Sequence, residues 1–280
     1  MIEAAADVPV LKTAEFARIC ELAYERFGLH LHAGKEKLVS ARLGKLLRAG
    51  GFRSFDAYYQ HVMSDRSGAA LTAMIDCLTT NHTSFLREPE HFRVLTERIL
   101  RESRGRDVFR VWSAACSTGE EPYSIAFSLL DALGDCRQPR IEILATDIST
   151  RALDAARRAA YTRERLAGLP ADMRARYLAA GPDGTLRVRR EVTALVRFER
   201  RNLMEPFPAG ALFPVIFCRN VMIYFDRETR GGLVRRLTAS LEPGGYLMVG
   251  HAESLIGTEH GLTYVQPAVY RRPVSGQGRR

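Results

Sequence analysis

Apolar residues recur at helical spacing through the first 80 positions of the chain. One run ends at Gly28, a second covers about Lys35 to Ala49 before Gly50, and two shorter runs cover Phe55 to Met63 and Leu71 to Leu78. Apolar residues three and four positions apart lie on one face of a helix, and glycine commonly follows the last helical turn. The pattern therefore predicts a region of four helices without strands.

The second predicted helix carries basic side chains on its other faces. They include Lys37, Arg42, Lys45 and Arg48. A basic helix face is usually solvated surface, and it can also dock an acidic partner helix. The pattern alone leaves both interpretations open.

A polar segment with the sequence TTNHTSFLRE, Thr79 to Glu88, ends the helical region. It is dense in hydrogen-bonding side chains and contains one arginine. Thr83 or Ser84 can cap the helix that is predicted next, so the segment is interpreted as a capped linker. We predict an N-terminal helical domain with its linker over residues 1–90 and a second domain over residues 91–280.

The pattern changes near residue 108, where strands begin to alternate with helices. Val108 to Trp112 is a run of β-forming residues, Ser113 to Gly119 is a stretch of small residues, and apolar positions return at helical spacing from Ile125. A strand, a tight turn and a helix bring backbone N–H groups close to a ligand at the carboxyl end of the strand. Thr118 and Glu121 are predicted to form a capping box at the helix start.

The turn before this helix contains one glycine, Gly119, and lacks the lysine of a P-loop, so it does not match the usual dinucleotide or triphosphate motifs. Two carboxylates, Glu120 and Glu121, begin the helix. They would repel a pyrophosphate and would suit a cationic ligand, such as the amino and sulfonium groups of S-adenosylmethionine. The alternative is that both carboxylates only favour the helix dipole.

Polar residues also follow the later predicted strands. Asp147 closes the strand Ile141 to Thr146, and Asn202 and Asn220 stand at the ends of two further strands. Nucleoside-binding α/β folds use an acidic residue in the position of Asp147 to bind ribose hydroxyls, although an aspartate there is often only a turn or cap residue. Because the carboxyl ends of parallel strands converge, we predict an α/β fold with one crevice. A last strand is predicted near Thr263 to Tyr270.

Residues 161–195 interrupt the alternation of strands and helices. Pro170 to Leu178 is predicted as a helix, Gly181 to Gly184 as a turn, and Thr185 to Arg189 as an exposed strand. The pattern predicts a small insertion of antiparallel strands.

The composition is that of an ordinary soluble globular protein, with 280 residues, 46% hydrophobic and 26% charged. No apolar run approaches the roughly 20 residues of a membrane span, and the N-terminus lacks the basic region of a secretory signal. The five cysteines include no C-x-x-C pair, so neither a zinc site nor a disulfide framework is indicated. These features predict a cytoplasmic protein. The last residues, Ser275 to Arg280, are predicted separately as a disordered tail.

The net charge of +9 and the isoelectric point of about 9.6 indicate an acidic partner, such as nucleic acid, a membrane surface or an acidic protein segment. The alternative is a chain from an arginine-rich genome, because arginine is used much more than lysine.

The sequence lacks the motifs of several kinds of catalysis. It contains no G-x-S-x-G elbow, no Ser–His–Asp ordering and no metal-ligand spacing among its seven histidines. Chemistry without a metal, nucleophile or redox group suits methyl transfer, in which the cofactor carries the activated group. The segment Asn220 to Tyr224 occupies the position of the N-P-P-Y clamp of DNA amino-methyltransferases, and its missing prolines argue against a base as the acceptor.

Five segments of the chain form one set of motifs. They are Thr79 to Glu88, Arg110 to Ser124, Ala145 to Ser149, Phe217 to Asp226 and Gly244 to Ser254. Together, and above all in the strings STGEEPYS and FCRNVMIYFD, they resemble the CheR family of chemotaxis methyltransferases, over nearly the whole chain. The resemblance implies a Rossmann-like S-adenosylmethionine-dependent methyltransferase domain, an N-terminal all-α domain and a small antiparallel β insertion. It implies an enzyme that forms glutamate methyl esters on chemoreceptors.

The resemblance also implies site residues. The cofactor S-adenosylmethionine, with S-adenosylhomocysteine as product, would be bound by Asn81, Thr83, Arg87, Glu120, Asp147, Asn202, Leu203, Arg219 and Asn220. Tyr224 and Arg87 are expected to be catalytic, with Tyr224 facing the methyl group. No metal is expected.

The partners implied by the resemblance are the cytoplasmic helices of a chemoreceptor. The basic N-terminal helix would contact the glutamate-rich methylation helix. The β insertion would be the subdomain with which some members hold a receptor tail peptide, with a hairpin expected over Glu191 to Leu195, where this sequence lacks glycine. We expect a monomer, no nucleic-acid partner and no membrane span. Two other functions stay open: a methyltransferase of the same fold with another acceptor, and a non-catalytic module that binds the cofactor or a receptor.

Overall fold

The computed structural model describes residues 9–79, 82–136, 139–207, 210, 212–257 and 259–274. The predictions for Asn81 and for the tail Ser275 to Arg280 lie outside these residues. The chain divides into two compact units. The first comprises the residues up to Thr80 together with Tyr224–Asp226, and the second comprises Asn81–Ile223 and Arg227–Arg280.

The first unit contains the four predicted helices. They are α1 (Thr13–Phe27), α2 (Glu36–Gly50), α3 (Phe55–Ser64) and α4 (Ala69–Leu78). Helices α1 and α2 end where a glycine takes the left-handed conformation, with φ of 68° at Gly28 and 69° at Gly51. Glycine adopts this conformation without the steric penalty of a Cβ atom, so these glycines end the two helices.

Apolar side chains from all four helices form the core of the first unit. Ile19 on α1, Leu43 on α2 and Ile75 on α4 are at most 1% exposed. Full burial of such a side chain stabilises the fold by about 1.5–3 kcal/mol. Glu15 is buried beside this core, and its carboxylate accepts the backbone N–H of Asp56 at 3.0 Å, which ties α1 to the start of α3.

The second unit is built on a seven-stranded sheet. Its strands are β1 (Val108–Ala114), β2 (Arg140–Asp147), β6 (Val196–Arg200), β7 (Phe213–Cys218), β8 (Leu241–Val249), β9 (Thr263–Gln266) and β10 (Val269–Arg271). The order is β6-β2-β1-β7-β8-β10-β9. The first five strands are parallel, and β10 is antiparallel to both of its neighbours. The single final strand predicted from the sequence is therefore wrong, because the chain turns at Ala268, where φ is 61°.

Helices precede and connect these strands. They are α5 (Glu90–Val94), a π-helical turn (Leu95–Ile99), α6 (Leu100–Glu102), α7 (Glu120–Leu133), α8 (Thr150–Arg158) and α11 (Arg227–Ser240). The first three form one helical stretch that begins at Glu90, with Pro89 in the N-cap position. The prediction that Thr83 or Ser84 caps this stretch is wrong, because both lie several residues before it.

The insertion forms a separate antiparallel sheet in the order β3-β5-β4. Its elements are β3 (Ala160–Tyr161), α9 (Ala171–Tyr177), β4 (Leu178–Ala180), β5 (Leu186–Val188) and α10 (Arg190–Thr193). The predicted helix and strand are confirmed. The hairpin predicted over Glu191 to Leu195 is wrong, because the backbone N–H of Ala194 bonds the carbonyl of Arg190 in a helical turn that buries Val192.

Strand β1 lies at the centre of the large sheet, between β2 and β7. From β1 the chain passes through α7 to β2 on one side, and β7 takes the other side. This is the switch point of a doubly wound sheet, where ligands bind outside the carboxyl ends of the strands. The fold class predicted from the sequence is confirmed: a Rossmann-like domain, an N-terminal all-α unit and a small antiparallel sheet.

Candidate functional site

The turn that follows β1 has an unusual backbone. Ala115, Ser117 and Gly119 all have positive φ, of 66°, 50° and 98°. A Cβ atom at Gly119 would lie 2.7 Å from the hydroxyl oxygen of Tyr161, so glycine is required both by conformation and by space. The predicted capping box is wrong, because the hydroxyl of Thr118 donates instead to a carboxylate oxygen of Glu120, at 2.7 Å.

The side chain of Glu120, predicted to bind the cofactor, is fully buried. A guanidinium nitrogen of Arg165, from the insertion, lies 2.5 Å from its Oε1 but outside hydrogen-bond geometry, so this oxygen is paired in charge and can still accept a hydrogen bond. Burial raises the pKa of Glu120, while Thr118 and Arg165 act to lower it. A cation bound beside Glu120 would therefore stabilise the ionised form of this side chain.

Asp147 lies at the end of β2 and is 7% exposed. Its Oδ2 accepts the backbone N–H of Ser117 at 2.8 Å, and its Oδ1 accepts that of Ser149 at 2.9 Å. Asp147 therefore fixes the turn after β1 to the turn after β2. Each carboxylate oxygen has more than one lone pair, so this bonding is compatible with a further donor such as a ribose hydroxyl.

Asn202 and Leu203 lie just after β6, beside Asp147. The backbone N–H of Arg201 donates to the carbonyl of Asp147 at 2.9 Å, which brings the two strand ends together. The side-chain oxygen of Asn202 accepts the N–H of Met204 at 3.0 Å. The sheet edge thus places Asp147 and Asn202 at one point, as the sequence predicted for polar strand ends.

Arg219 follows β7, and its side chain is 2% exposed. Its Nη2 donates to Glu88 at 3.0 Å and to the carbonyl of Arg87, and its Nη1 donates to Glu121 at 3.1 Å. The guanidinium lies over the ring of Phe92, 5.8 Å from the centroid. The predicted cofactor residue Arg219 thus also joins the linker to the start of α7.

Glu88 was not among the predicted site residues, and Glu121 was considered only together with Glu120, as a carboxylate at the helix start that would suit a cationic ligand. Glu121 accepts the hydroxyl of Ser113 at 2.7 Å as well as Arg219, and burial raises its pKa while Arg219 acts to lower it. The sequence held a partial signal for this network, because an arginine directly after a buried strand is often paired with a carboxylate when it is itself buried. The sequence could not say which of the many carboxylates it was.

Asn220 has a positive φ of 58°, which asparagine tolerates better than most residues. Its side-chain Nδ2 donates to Glu88 at 3.3 Å, and its backbone N–H donates to Glu253 at 2.7 Å. Glu253, 2% exposed, also accepts the backbone N–H of Gly250 at 2.7 Å and of Ile223 at 3.3 Å. One buried carboxylate therefore shapes the loops after both β7 and β8.

Three potential metal ligands lie together: atoms of Glu88, His91 and His251 are within 4.8 Å of one another. His91 is fully buried, and burial, helped by the charge of Arg219, lowers its pKa to about 3. Both oxygens of Glu88 already accept hydrogen bonds, from Arg219, from Asn220 and from the backbone of His251. The carboxylate is thus used within the protein, which does not favour a metal at this position.

Arg87 lies between two non-glycine residues in the left-handed conformation, Leu86 with φ of 52° and Glu88 with φ of 57°. Its Nη1 donates to the carbonyl of His82 at 3.0 Å, and Thr83, also predicted to bind the cofactor, is half-buried nearby in the chain. The described part of the linker, residues 82–88, is therefore a folded loop that presents Arg87 on a specific backbone.

Tyr224 ends the 3₁₀ turn Met222–Tyr224 and belongs to the first unit. Its carbonyl accepts the backbone N–H of His30 at 2.9 Å, and Asp226 accepts the hydroxyl of Tyr24 at 2.7 Å. These bonds fix the backbone that carries Tyr224 within the helical unit.

Three of the four basic residues predicted on α2 share one exposed face: Lys37, Lys45 and Arg48. At about 3.6 residues per turn, positions 37, 45 and 48 fall on one side of the helix, so the three side chains form a stripe along it. Arg42 lies elsewhere, is half-buried, and donates to the carbonyl of Leu78 at the end of α4. The structure thus gives Arg42 a contact inside the unit and leaves the other three at the surface.

The second unit, with loops after β1, β2 and β7 meeting at the switch point, is a Rossmann-like nucleoside-binding domain. Residues 81–270 match the S-adenosylmethionine-binding domain of the CheR methyltransferases, and residues 14–79 match the all-alpha domain of the same proteins. The chain belongs to the CheR methyltransferase family and is an S-adenosylmethionine-dependent methyltransferase.

Curated relatives of the chain are similar over most of their length. The chain is 42% identical over 248 residues to the chemotaxis protein methyltransferase of Salmonella typhimurium, covering 87% of this chain and 85% of the relative. It is 40% identical over 264 residues to that of Escherichia coli, with 93% and 91% covered. It is 38% identical over 268 residues to that of Borreliella burgdorferi, with 92% and 94% covered. Among the described helices, none has the length and apolar character to cross a membrane.

Proposed function

We propose that this enzyme transfers the methyl group of S-adenosylmethionine to glutamate side chains of chemoreceptors. The observation that carries the proposal is the convergence of Glu120, Asp147 and Asn220 at the switch point of a chain whose relatives are named chemotaxis protein methyltransferases. Glutamate methyl esters on the receptor would be the product.

The residues at the switch point fit the cofactor in charge and in hydrogen bonding. One buried oxygen of Glu120 accepts no hydrogen bond among the described residues, which suits the amino group of the cofactor's methionine part. Asp147 sits where ribose hydroxyls are bound in nucleoside-binding folds. Thr83, Arg87, Asn202, Leu203 and Arg219 complete the proposed set, and bound S-adenosylmethionine would supply a methyl group activated on a sulfonium centre.

Methylation of a glutamate carboxylate needs no acid or base catalysis by the enzyme. A glutamate with an ordinary pKa near 4.3 is ionised at neutral pH, so no general base is needed. The enzyme has to hold the carboxylate oxygen about 3 Å from the methyl group and exclude water. We assign this orientation to the cation of Arg87 and the hydroxyl of Tyr224.

The receptor surface is proposed to be the exposed stripe of Lys37, Lys45 and Arg48 on α2. Methylation helices that are rich in glutamate present negative charge, which complements such a stripe. Arg42 is left out of this proposal because its guanidinium donates to the carbonyl of Leu78.

Transfer of a tritiated methyl group to purified cytoplasmic receptor fragments tests the proposal. Carboxyl methyl esters release volatile methanol in alkali, and receptor fragments with Glu→Gln changes at the modified positions should lose the label. Label on nucleic acid instead of receptor would support the other acceptor class, which the net charge of +9 motivates. Binding of S-adenosylmethionine by calorimetry without any methyl transfer would identify a signalling module.

A further inference from the structure

The loop that carries Arg87 adopts a backbone that its own sequence does not favour. Leu86 and Glu88, on either side of Arg87, both have positive φ, and neither is glycine, asparagine or aspartate. Side chains with a Cβ atom are sterically disfavoured there, and such residues persist only where surrounding contacts over-determine them. The contacts that hold this loop are therefore the ones that set the position of Arg87.

One contact holds the loop from the side of α7. The backbone N–H of Leu86 donates to the hydroxyl of Ser124 at 2.9 Å, and that hydroxyl donates in turn to the carbonyl of Glu120 at 2.6 Å. Ser124 is fully buried. The hydroxyl thus ties the residue before Arg87 to the first turn of a rigid helix.

The other contacts hold the loop through Glu88. Its Oε2 accepts from Arg219, and its Oε1 accepts from the side chain of Asn220 and from the backbone of His251, both at 3.3 Å. Arg219 also donates to the carbonyl of Arg87 itself. Glu88 therefore joins the linker to the loops after β7 and β8 at one carboxylate.

The charge state of Glu88 favours this arrangement at neutral pH. Burial acts to raise its pKa, but the charge and hydrogen bonds of Arg219, together with the hydrogen bonds from His251 and Asn220, outweigh burial, so that the pKa lies below its ordinary value. Glu88 is consequently ionised at neutral pH. The pair is sheltered, with side-chain exposures of 13% and 2%, and is screened less than a surface pair.

We infer that Glu88 is a positioning residue for methyl transfer: by clamping Arg219 and the carbonyl of Arg87, it holds the strained loop that aims the Arg87 guanidinium. This inference rests on the proposed role of Arg87. It assigns Glu88 no contact with substrate or cofactor.

The test compares Glu88→Gln with Glu90→Gln in methyl transfer to receptor fragments. Glutamine keeps the shape of Glu88 and removes its charge, while Arg219 retains Glu121 as a partner. Glu90 is two residues away, is 52% exposed and pairs only with Arg93 among the described residues, so it is the matched control. Because misplacement of a reacting group by about 1 Å can cost about 10²-fold in rate, kcat should fall by about 10²-fold in Glu88→Gln and stay within about twofold in Glu90→Gln.

A double-mutant cycle with Arg87→Ala separates positioning from general destabilisation. If Glu88 acts through Arg87, Glu88→Gln should lower kcat by less than about threefold in the Arg87→Ala background, since the residue it positions is gone. Should Glu88→Gln fail to fold by circular dichroism, Ser124→Ala perturbs the same loop from α7 and enters the same cycle.

Three results would overturn the inference. Equal losses of kcat for Glu88→Gln with and without Arg87 would show that Glu88 acts independently of Arg87. An unchanged kcat in Glu88→Gln would show that Glu88 does not position Arg87 for the reaction. Arg87→Ala with the kcat of the original enzyme would overturn the proposed role of Arg87, and this inference with it.

Discussion

The pH dependence of stability should carry the signature of one buried histidine. His91 is fully buried, both ring nitrogens are without a hydrogen-bond partner in the described part of the chain, and its pKa is lowered from 6.5 to about 3. Burial is the main cause, and the neighbouring charges of Arg219 and His251 act in the same direction, against that of Glu88. We therefore predict that His91 stays neutral in the folded protein through mildly acid pH.

The sign and size of the effect follow from proton linkage. Between pH 6.5 and about 3 the unfolded chain binds a proton at His91 that the folded protein does not, so the stabilising contribution is present above pH 6.5 and is lost as pH falls. Each pH unit in this window should reduce the free energy of unfolding by about 1.4 kcal/mol. At pH 4.5 the loss should be about 2.7 kcal/mol.

Urea unfolding of the original protein and of His91→Leu, at pH 7.5, 5.5 and 4.5, measures this contribution. Leucine fills the site without polar atoms, so the variant should match or exceed the original stability at pH 7.5. Below pH 6 it should lose less stability, by the amount given above. His82→Gln, at an exposed position of the same unit, is the control. Parallel pH profiles for His91→Leu and the original protein would refute the reasoning.

Four further predictions concern the site and the surface. Gly119→Ala should lower the free energy of unfolding by about 1–3 kcal/mol and weaken S-adenosylmethionine binding in calorimetry, because the new Cβ would lie 2.7 Å from the hydroxyl of Tyr161; an unchanged dissociation constant would contradict this. Glu253→Ala should cost about 3 kcal/mol in urea unfolding, since it leaves three backbone N–H donors unpaired; a loss below about 1 kcal/mol would argue against it. Tyr224→Phe should lower kcat while leaving cofactor binding intact, and unchanged turnover would remove its assigned role. Lys45→Glu should raise the KM for the receptor without changing the KM for S-adenosylmethionine. Equal changes in the two KM values would speak against a receptor-binding face.

Periodic elements were predictable because their signals are local. The four N-terminal helices, β1 with its turn and α7, and the strand ending at Asp147 follow from apolar spacing and from small or polar residues at their ends. A helix needs only its own face of apolar residues to be recognised. Fold class followed from the order of these elements.

Contacts between distant residues were not predictable. Arg219 and Glu88 are 131 residues apart, and no local sequence pattern around either residue identifies the other as its partner. The same limit applies to Arg42, which the helix pattern grouped with Lys45 but which reaches the carbonyl of Leu78. Short elements such as α10 also escaped, because four residues are too few for a periodic signal.

The short segment Tyr224–Asp226 has a consequence for how the protein can be dissected. Along the sequence the two family domains meet at one boundary, between residues 79 and 81, which suggests that a single cut would separate them. Yet Tyr224–Asp226 packs with the N-terminal helices and is bonded there to His30 and Tyr24. A fragment starting at residue 81 would keep these three residues and lose their partners. The helical part is thus no detachable module, and the segment that carries Tyr224 depends for its backbone on residues nearly 200 positions earlier.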